Sequence, residues 1–140
     1  MEIWKPVKSS PNYEVSNLGS VKNIKTGKLL KVATNNYGYK LVCLSNNSVK
    51  QTGYIHRLVA EAFIDTDLDT RICVVNHIDG DKSNNTIENL EWATYTENAY
   101  HGKARLKVKA KEVTELLELL EQMDLGQIDK ALTYCRQLLR

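Results

Sequence analysis

The chain reads as an α+β protein: a small antiparallel β region first, then a strand–loop–strand–helix unit, then an α-helical hairpin. Three observations predict this. Residues 1–54 are short alternating runs broken by turn residues, and residues 107–140 repeat apolar side chains at helical spacing. Between them, residues 55–106 hold a short amphipathic stretch, then two apolar runs separated by a loop rich in Asp, Asn and Gly. With 140 residues, the chain has room for a modest core but no large one.

In the first region, "YEVSNLGSVKNIKTGKLLKV" turns at "NLG" and "KTGK", and "TNNYGYKLVCLSNNSVKQTGYI" turns at "NNYG" and "SNNS". Several short antiparallel strands follow from that punctuation. Trp4, Tyr13, Tyr37, Tyr39 and Tyr54 sit among lysines, a mixture that either faces nucleic acid or fills a small core. Core is the expectation for the aromatics. Phosphate contact is the expectation for Lys22, Lys25, Lys28, Lys31 and Lys40.

"YIHRLVAEAFI" places Leu58, Val59, Ala62 and Phe63 at helical spacing, with His56 and Arg57 at the start of the helix. Arg57 is a further candidate for DNA contact. His56 is either a phosphate-contacting or orienting group, or an ordinary surface histidine.

In the tail, Val113, Leu116, Leu117, Leu120 and Met123 share one helical face. Ile128, Ala131, Leu132, Cys135, Leu138 and Leu139 share another after a break at "DLGQ". A DNA-reading helix-turn-helix needs a third packed helix. The hairpin is therefore expected to serve intramolecular packing or homodimerisation.

Charge separates along the chain. Residues 1–57 carry nine Lys or Arg against two Glu, a balance of +7, and residues 58–106 carry four basic against nine acidic, a balance of −5. Residues 107–140 balance at six each. A basic part beside an acidic part suits a protein that holds a polyanion and collects a cation, although a solvated lysine-rich surface has the same count. No run approaches the roughly 20 apolar residues of a membrane span, and the start "MEIWKPVKSS" lacks a secretory layout. Cys43, Cys73 and Cys135 are scattered, with no CxxC pair, as expected of reduced thiols in a cytoplasmic protein.

The informative stretch is "VVNHIDGDKSNNTIENLEWATYTEN", Val74 to Asn98. As an EF-hand opening at Asp79 it fails, because that loop needs Gly at its sixth position and Glu at its twelfth, where this chain has Asn84 and Leu90. A surface turn accounts for "DGDKSNN" but not for the apolar run that delivers Asn76 and His77 into it. Read as a nuclease site, "RICVVNH" is a strand ending at His77, "LEWAT" the returning strand and "YTENAYHGKA" a helix across the pair. Histidine is suited to act as general base on a water, and the side-chain oxygens of Asn76 and Asn98 are neutral donors of the kind a hard cation accepts.

His77, Asn89 and Asn98, at intervals of 12 and 9 residues, resemble the signature positions of the HNH endonucleases. "IHRLVAEAFI" followed by the stretch above is similar to the subgroup found in phage and intron homing endonucleases. "EIWKPV…YEVSNLGSVKN" resembles the modular DNA-binding motif that often precedes HNH domains. The resemblance covers about residues 2–101. It implies a DNA-binding motif over 1–54 and a ββα-metal nuclease domain over 55–106, which leaves the helical hairpin over 107–140 as a separate tail read from its periodicity. It also implies cleavage of double-stranded DNA to 5′-phosphate and 3′-hydroxyl ends with Mg²⁺, Mn²⁺ or another divalent cation. His77 would be the general base, Asn89 the brace of the loop and Asn98 a metal ligand. The amide oxygen of Asn76 adds a second candidate ligand by its own chemistry, and His101 is a candidate contact to the phosphate or leaving oxygen. Asn76 stands where this family often has Asp, and Gly102 where some branches carry a second helical His. The alternative is accordingly a DNA-binding protein with weakened catalysis. If phage-encoded, the chain works in the bacterial host cytoplasm.

Overall fold

The structure, a computed structural model, describes residues 1–46 and 49–121. Met1–Ala99 form one compact unit, and the described residues from Tyr100 onward belong to a second. Among the described residues, no helix is long and apolar enough to cross a membrane.

Three small antiparallel sheets build the first unit. β1 (Trp4–Pro6), β2 (Tyr13–Ser16) and β3 (Val21–Asn23) form the first, in that order. β4 (Ala33–Thr34), β5 (Lys40–Asn46) and β6 (Val49–Tyr54) form the second, and β7 (Val74–His77) pairs with β8 (Leu90–Ala93) in the third. Side chains alternate as a pleated strand requires: Val42 and Leu44 of β5 are buried while Cys43 and Ser45 are exposed. Tyr13 and Val15 of β2 are buried on either side of half-buried Glu14.

One helix ties the sheets together. α1 (Ile55–Phe63) buries Ile55, Leu58, Val59 and Ala60 against strands drawn from all three sheets. Val7, Val15, Val21, Val42, Leu44, Val75 and Leu90 complete a single core with them. Full burial of a side chain such as Leu44 or Ile55 is worth about 1.5–3 kcal/mol, so a few such positions account for much of the stability of a unit this small. Gly53 in β6 is part of that packing. A Cβ there would meet Leu44 Cδ1 at 3.0 Å and Leu58 Cδ1 at 3.1 Å.

The aromatics depart from expectation. Tyr13 is core, 5 % exposed, and its hydroxyl bridges two sheets by accepting from Ser45 N (3.0 Å) and donating to Ser45 O (3.2 Å). Tyr37 and Tyr54, in contrast, are exposed, and Trp4 and Tyr39 half-buried. A core this small is filled by aliphatic residues from α1 and β5, which leaves the later tyrosines outside it.

The third sheet leads into α2 (Tyr95–Glu121), a single helix that continues from the "YTENAY" segment into the first apolar stretch of the tail. Leu106 and Val113 on it are exposed. The second tail helix expected over 128–139 lies outside the described residues, as do Met123 and Cys135. Cys43 and Cys73 are free thiols.

Candidate active site

β7 ends at His77, and its register against β8 sets Asn76 opposite Glu91 and His77 opposite Leu90. Both Asn76 and His77 are buried, 2 % and 5 % exposed. Buried polar side chains require partners, and the strand pair and its connecting loop supply them. The Asn76 amide Nδ2 donates to Glu91 Oε1 at 2.6 Å. His77 Nε2 lies 3.1 Å from Asn85 Oδ1.

Asn85 selects between the two tautomers of a neutral His77. Its own Nδ2 donates to Ser83 O at 3.0 Å, which turns its carbonyl oxygen toward the imidazole. A carbonyl oxygen only accepts, so a neutral His77 in this bond carries its proton on Nε2 and its lone pair on Nδ1.

The loop between the strands is braced from within. Asn89, in a single 3₁₀ turn (Ile87–Asn89), accepts from Asp79 N at 3.0 Å. Its Nδ2 donates to Asp79 Oδ1 and to Asn84 O, both at 2.9 Å. Asp79 also accepts from Asn84 Nδ2 (2.8 Å) and Asp81 N (2.7 Å). These bonds, with that from Asn84 first, hold the Asp79 carboxyl below its ordinary range. Gly80, at φ 80°, makes the turn of the loop in the left-handed region that glycine accepts freely.

The first region of the chain buttresses this loop. Ile87 N donates to Asn17 O at 2.9 Å. Gly19, at φ 85°, lies so close that a Cβ on it would meet Asn85 Cβ at 3.1 Å and Asn85 O at 3.2 Å. The "NLG" turn thus supports the residue that orients His77.

A capping box fixes the start of α2. Glu97 N donates to Thr94 Oγ1 (3.3 Å), and Glu97 Oε2 accepts from Thr94 N (2.8 Å) and from its hydroxyl (2.9 Å). Asn98 follows in the opening turn, half-buried, with its backbone N–H on Thr94 O. His101 is exposed in the second unit.

His56 is buried, 8 % exposed, with its ring 5.3 Å from that of His77 and 5.0 Å from that of Tyr39. Burial, then the charges of His77 and Arg57, lower its pKa to about 4, so it is neutral at ordinary pH. Arg57 is occupied by the chain itself. It donates to Thr70 O (2.9 Å) and Cys73 O (3.4 Å), and its guanidinium lies 5.5 Å over the Trp92 ring.

The candidate DNA lysines divide into two groups. Lys25, Lys28 and Lys31 are exposed. Lys22 is 3.1 Å from the Glu14 carboxylate and 4.0 Å over the Trp4 ring, and Lys40 donates to Thr34 Oγ1 at 3.0 Å.

Amide oxygens of the kind that Asn76 and Asn98 carry suit a hard cation with oxygen ligands. Among the described residues, no group of three or more His, Cys, Asp or Glu is placed to hold a metal ion. With the amide nitrogen of Asn76 committed to Glu91, its carbonyl oxygen is the side turned away from that carboxylate.

Sequence reasoning named His77, Asn89, Asn76 and Asn98 but missed Asn85, Glu91, Asp79 and the Thr94–Glu97 box. The box was readable as T-x-x-E. The partnership of Asn76 with Glu91 needed the register of the strand pair.

A strand pair joined by an internally braced loop and followed by a capped helix defines a ββα unit with a histidine at the strand end. Residues 2–45 match the NUMOD4 motif, and residues 53–100 match the HNH endonuclease family. The chain is 33% identical to the DNA endonuclease I-HmuI of Bacillus phage SP01 over 120 residues, covering 85% of this chain and 68% of that protein. A solved structure of the HNH homing endonuclease I-HmuI, from work on its DNA binding and cleavage, matches with a TM-score of 0.69 at 34% identity. That match covers 83% of this chain and 68% of the other. An uncharacterized HNH endonuclease of Acanthamoeba polyphaga mimivirus is 47% identical over 98 residues, 70% of this chain but 29% of its own length. The chain spans under a third of that relative. It belongs to the HNH homing endonuclease family.

Proposed function

We propose that the chain is a divalent-metal-dependent endonuclease that hydrolyses double-stranded DNA, with His77 as the general base. The observation that carries this reading is the Ser83–Asn85–His77 relay. It puts the lone pair of a buried imidazole on Nδ1 and holds the ring in one orientation. A base so held takes a proton from water without having to reorient first.

Asn76 and Asn98 would hold Mg²⁺ or Mn²⁺ through neutral oxygens, with DNA phosphate oxygens as the remaining anionic partners. Such an ion, when bound, supplies positive charge for the pentacovalent transition state and the leaving oxygen. His77 removes the proton from the attacking water, and the phosphodiester opens to a 5′-phosphate and a 3′-hydroxyl. Asn89 acts as a positioning residue, because its bonds to Asp79 and Asn84 shape the loop that carries Asn85. One such site cuts one strand. Pairing of two copies through residues 107–140 would join two sites for a double-strand cut. A host-cell cytoplasm, as a phage gene would have, is the setting this chemistry fits.

Relaxation of supercoiled plasmid, with and without Mg²⁺ or Mn²⁺, tests the proposal. The expected result is metal-dependent nicking, lost in His77→Ala by on the order of 10²–10⁴ in rate while DNA binding persists. Binding without nicking in either metal would favour the alternative, a DNA-binding protein with weakened catalysis, for which the neutral Asn76 is the supporting feature.

A further inference from the structure

Beside His77 lies a pocket that the hydrolytic chemistry does not use. It has a volume of about 250 Å³ and is lined by Asn35, Tyr37, Tyr39, Tyr54, His56 and Arg57. This is smaller than the roughly 300–1,000 Å³ of sites for drug-sized ligands, and is suited to a single planar ring system.

Its walls are aromatic. The Tyr39 and Tyr54 rings meet edge to face with centroids 6.3 Å apart, and the His56 ring lies 5.0 Å from one and 5.8 Å from the other. Tyr37 stands at the tip of the β4–β5 turn, 76 % exposed, and Tyr54 is 39 % exposed. Asn35 Oδ1 accepts from both Tyr37 N and Tyr39 N at 3.0 Å, so the turn that presents Tyr37 is held in shape. Lys82 reaches across from the active-site loop. Its Nζ donates to Tyr37 O at 3.0 Å and lies 4.6 Å over the Tyr39 ring. His56 Nδ1 is buried with no hydrogen-bond partner, an uncommon state for a ring nitrogen in a settled core.

Exposed tyrosine faces, a cation at the rim and an unsatisfied polar atom in the wall together match one ligand class. We propose that this pocket receives one unstacked nucleobase of the bound DNA strand. Aromatic side chains take up bases of any sequence because every base has a π-face, and a nearby cation serves the phosphate that follows. The pocket adjoins the proposed base through Tyr39 and His56, whose rings lie 6.2 Å and 5.3 Å from that of His77. A nucleotide seated here would therefore place its neighbouring phosphate toward His77. This inference rests on the reading of the chain as a DNA-cleaving enzyme.

The test compares two fluorescent single strands of equal length and charge, one of thymidylate and one abasic throughout, by anisotropy at one fixed salt concentration. Equal charge cancels the phosphate contribution, so the affinity ratio reports base contacts alone. Wild type is expected to bind the thymidylate strand roughly tenfold or more tightly than the abasic strand. In Tyr37→Ala and Tyr54→Ala that ratio should fall toward one, with abasic binding unchanged. Both side chains are exposed, so the variants keep their fold, and melting curves verify it. A ratio near one in wild type, or one unaltered in both variants, overturns the proposal. Plasmid nicking by wild type is scored separately. Nicking with an unaltered ratio rejects the pocket and leaves the nuclease reading standing; a tyrosine-dependent ratio without nicking rejects the nuclease reading instead.

Discussion

Asn76 and Glu91 face each other across the β7–β8 pair, and the asparagine amide donates to the glutamate carboxylate at 2.6 Å. A carboxylate next to the His77 strand end is thus already balanced by a neutral donor. Asn76→Asp would remove that donor and oppose two carboxylates. The expected outcome is a protein destabilised by about 1–3 kcal/mol without divalent ions, largely restored by Mg²⁺. Asn76→Asp combined with Glu91→Gln should regain the lost stability without metal. Melting temperatures of the three proteins, with and without Mg²⁺, check this.

Asn89→Ala removes three hydrogen bonds that close the loop on itself. A loss of roughly 1–3 kcal/mol is expected, together with weaker nicking at temperatures where the protein is still folded. Asn89→Asp should rescue little, because it keeps the acceptor for Asp79 N but sets a second negative charge against the Asp79 carboxylate. Urea denaturation and plasmid relaxation on the same preparations separate stability from activity.

Gly19→Ala lies in a different part of the sequence from the site yet should disturb it. The backbone is at φ 85°, and the new methyl would press on Asn85 at 3.1 Å. The expected cost is roughly 1–3 kcal/mol. Activity should fall further than in Gly27→Ala, whose added Cβ would meet nothing within 4 Å. Nicking rates of the two variants make the comparison.

Acid should destabilise the fold through His56. Its folded pKa, about 4, is below the ordinary 6.5. As pH falls through 6.5 the unfolded chain takes up a proton that the folded chain refuses, so stability is fully present above 6.5 and declines toward about 4. The slope from this one group is at most about 1.4 kcal/mol per pH unit. His56→Phe should flatten the decline. Denaturant titrations from about pH 7 to about pH 4.5 measure it.

The lysines should act unequally in DNA binding. Each of Lys25→Ala, Lys28→Ala and Lys31→Ala is expected to lower the log–log salt slope by about one. Lys22→Ala and Lys40→Ala should change it less, since their ammonium groups are engaged by Glu14, Trp4 and Thr34. Binding isotherms at several salt concentrations give the slopes.

Local chemistry made much of this protein legible before folding. The alternation in "KLVCLSN", the helical spacing of "IHRLVAEAF" and the turns at Gly19, Gly27 and Gly38 reappear as β5, α1 and three left-handed glycines. Those signals are carried by neighbours in sequence, because backbone dihedrals and side-chain period depend on residues a few positions apart. His77, Asn89 and Asn98 were legible in a different way, through the resemblance of their order and spacing to the HNH signature.

Other features depend on contacts between distant segments. Which nitrogen of His77 carries the lone pair depends on Asn85, whose place is supported by Gly19 and by Asn17 through Ile87. Glu91, fifteen positions on from Asn76, became its partner only through the register of the two strands. Tyr37 and Tyr54 read as core residues by type. They are exposed because α1 and β5 had already filled a small interior with aliphatic side chains. Residue type sets what a side chain is able to do, but burial and hydrogen-bond partners are shared among segments far apart in the chain, and tertiary packing alone assigns them.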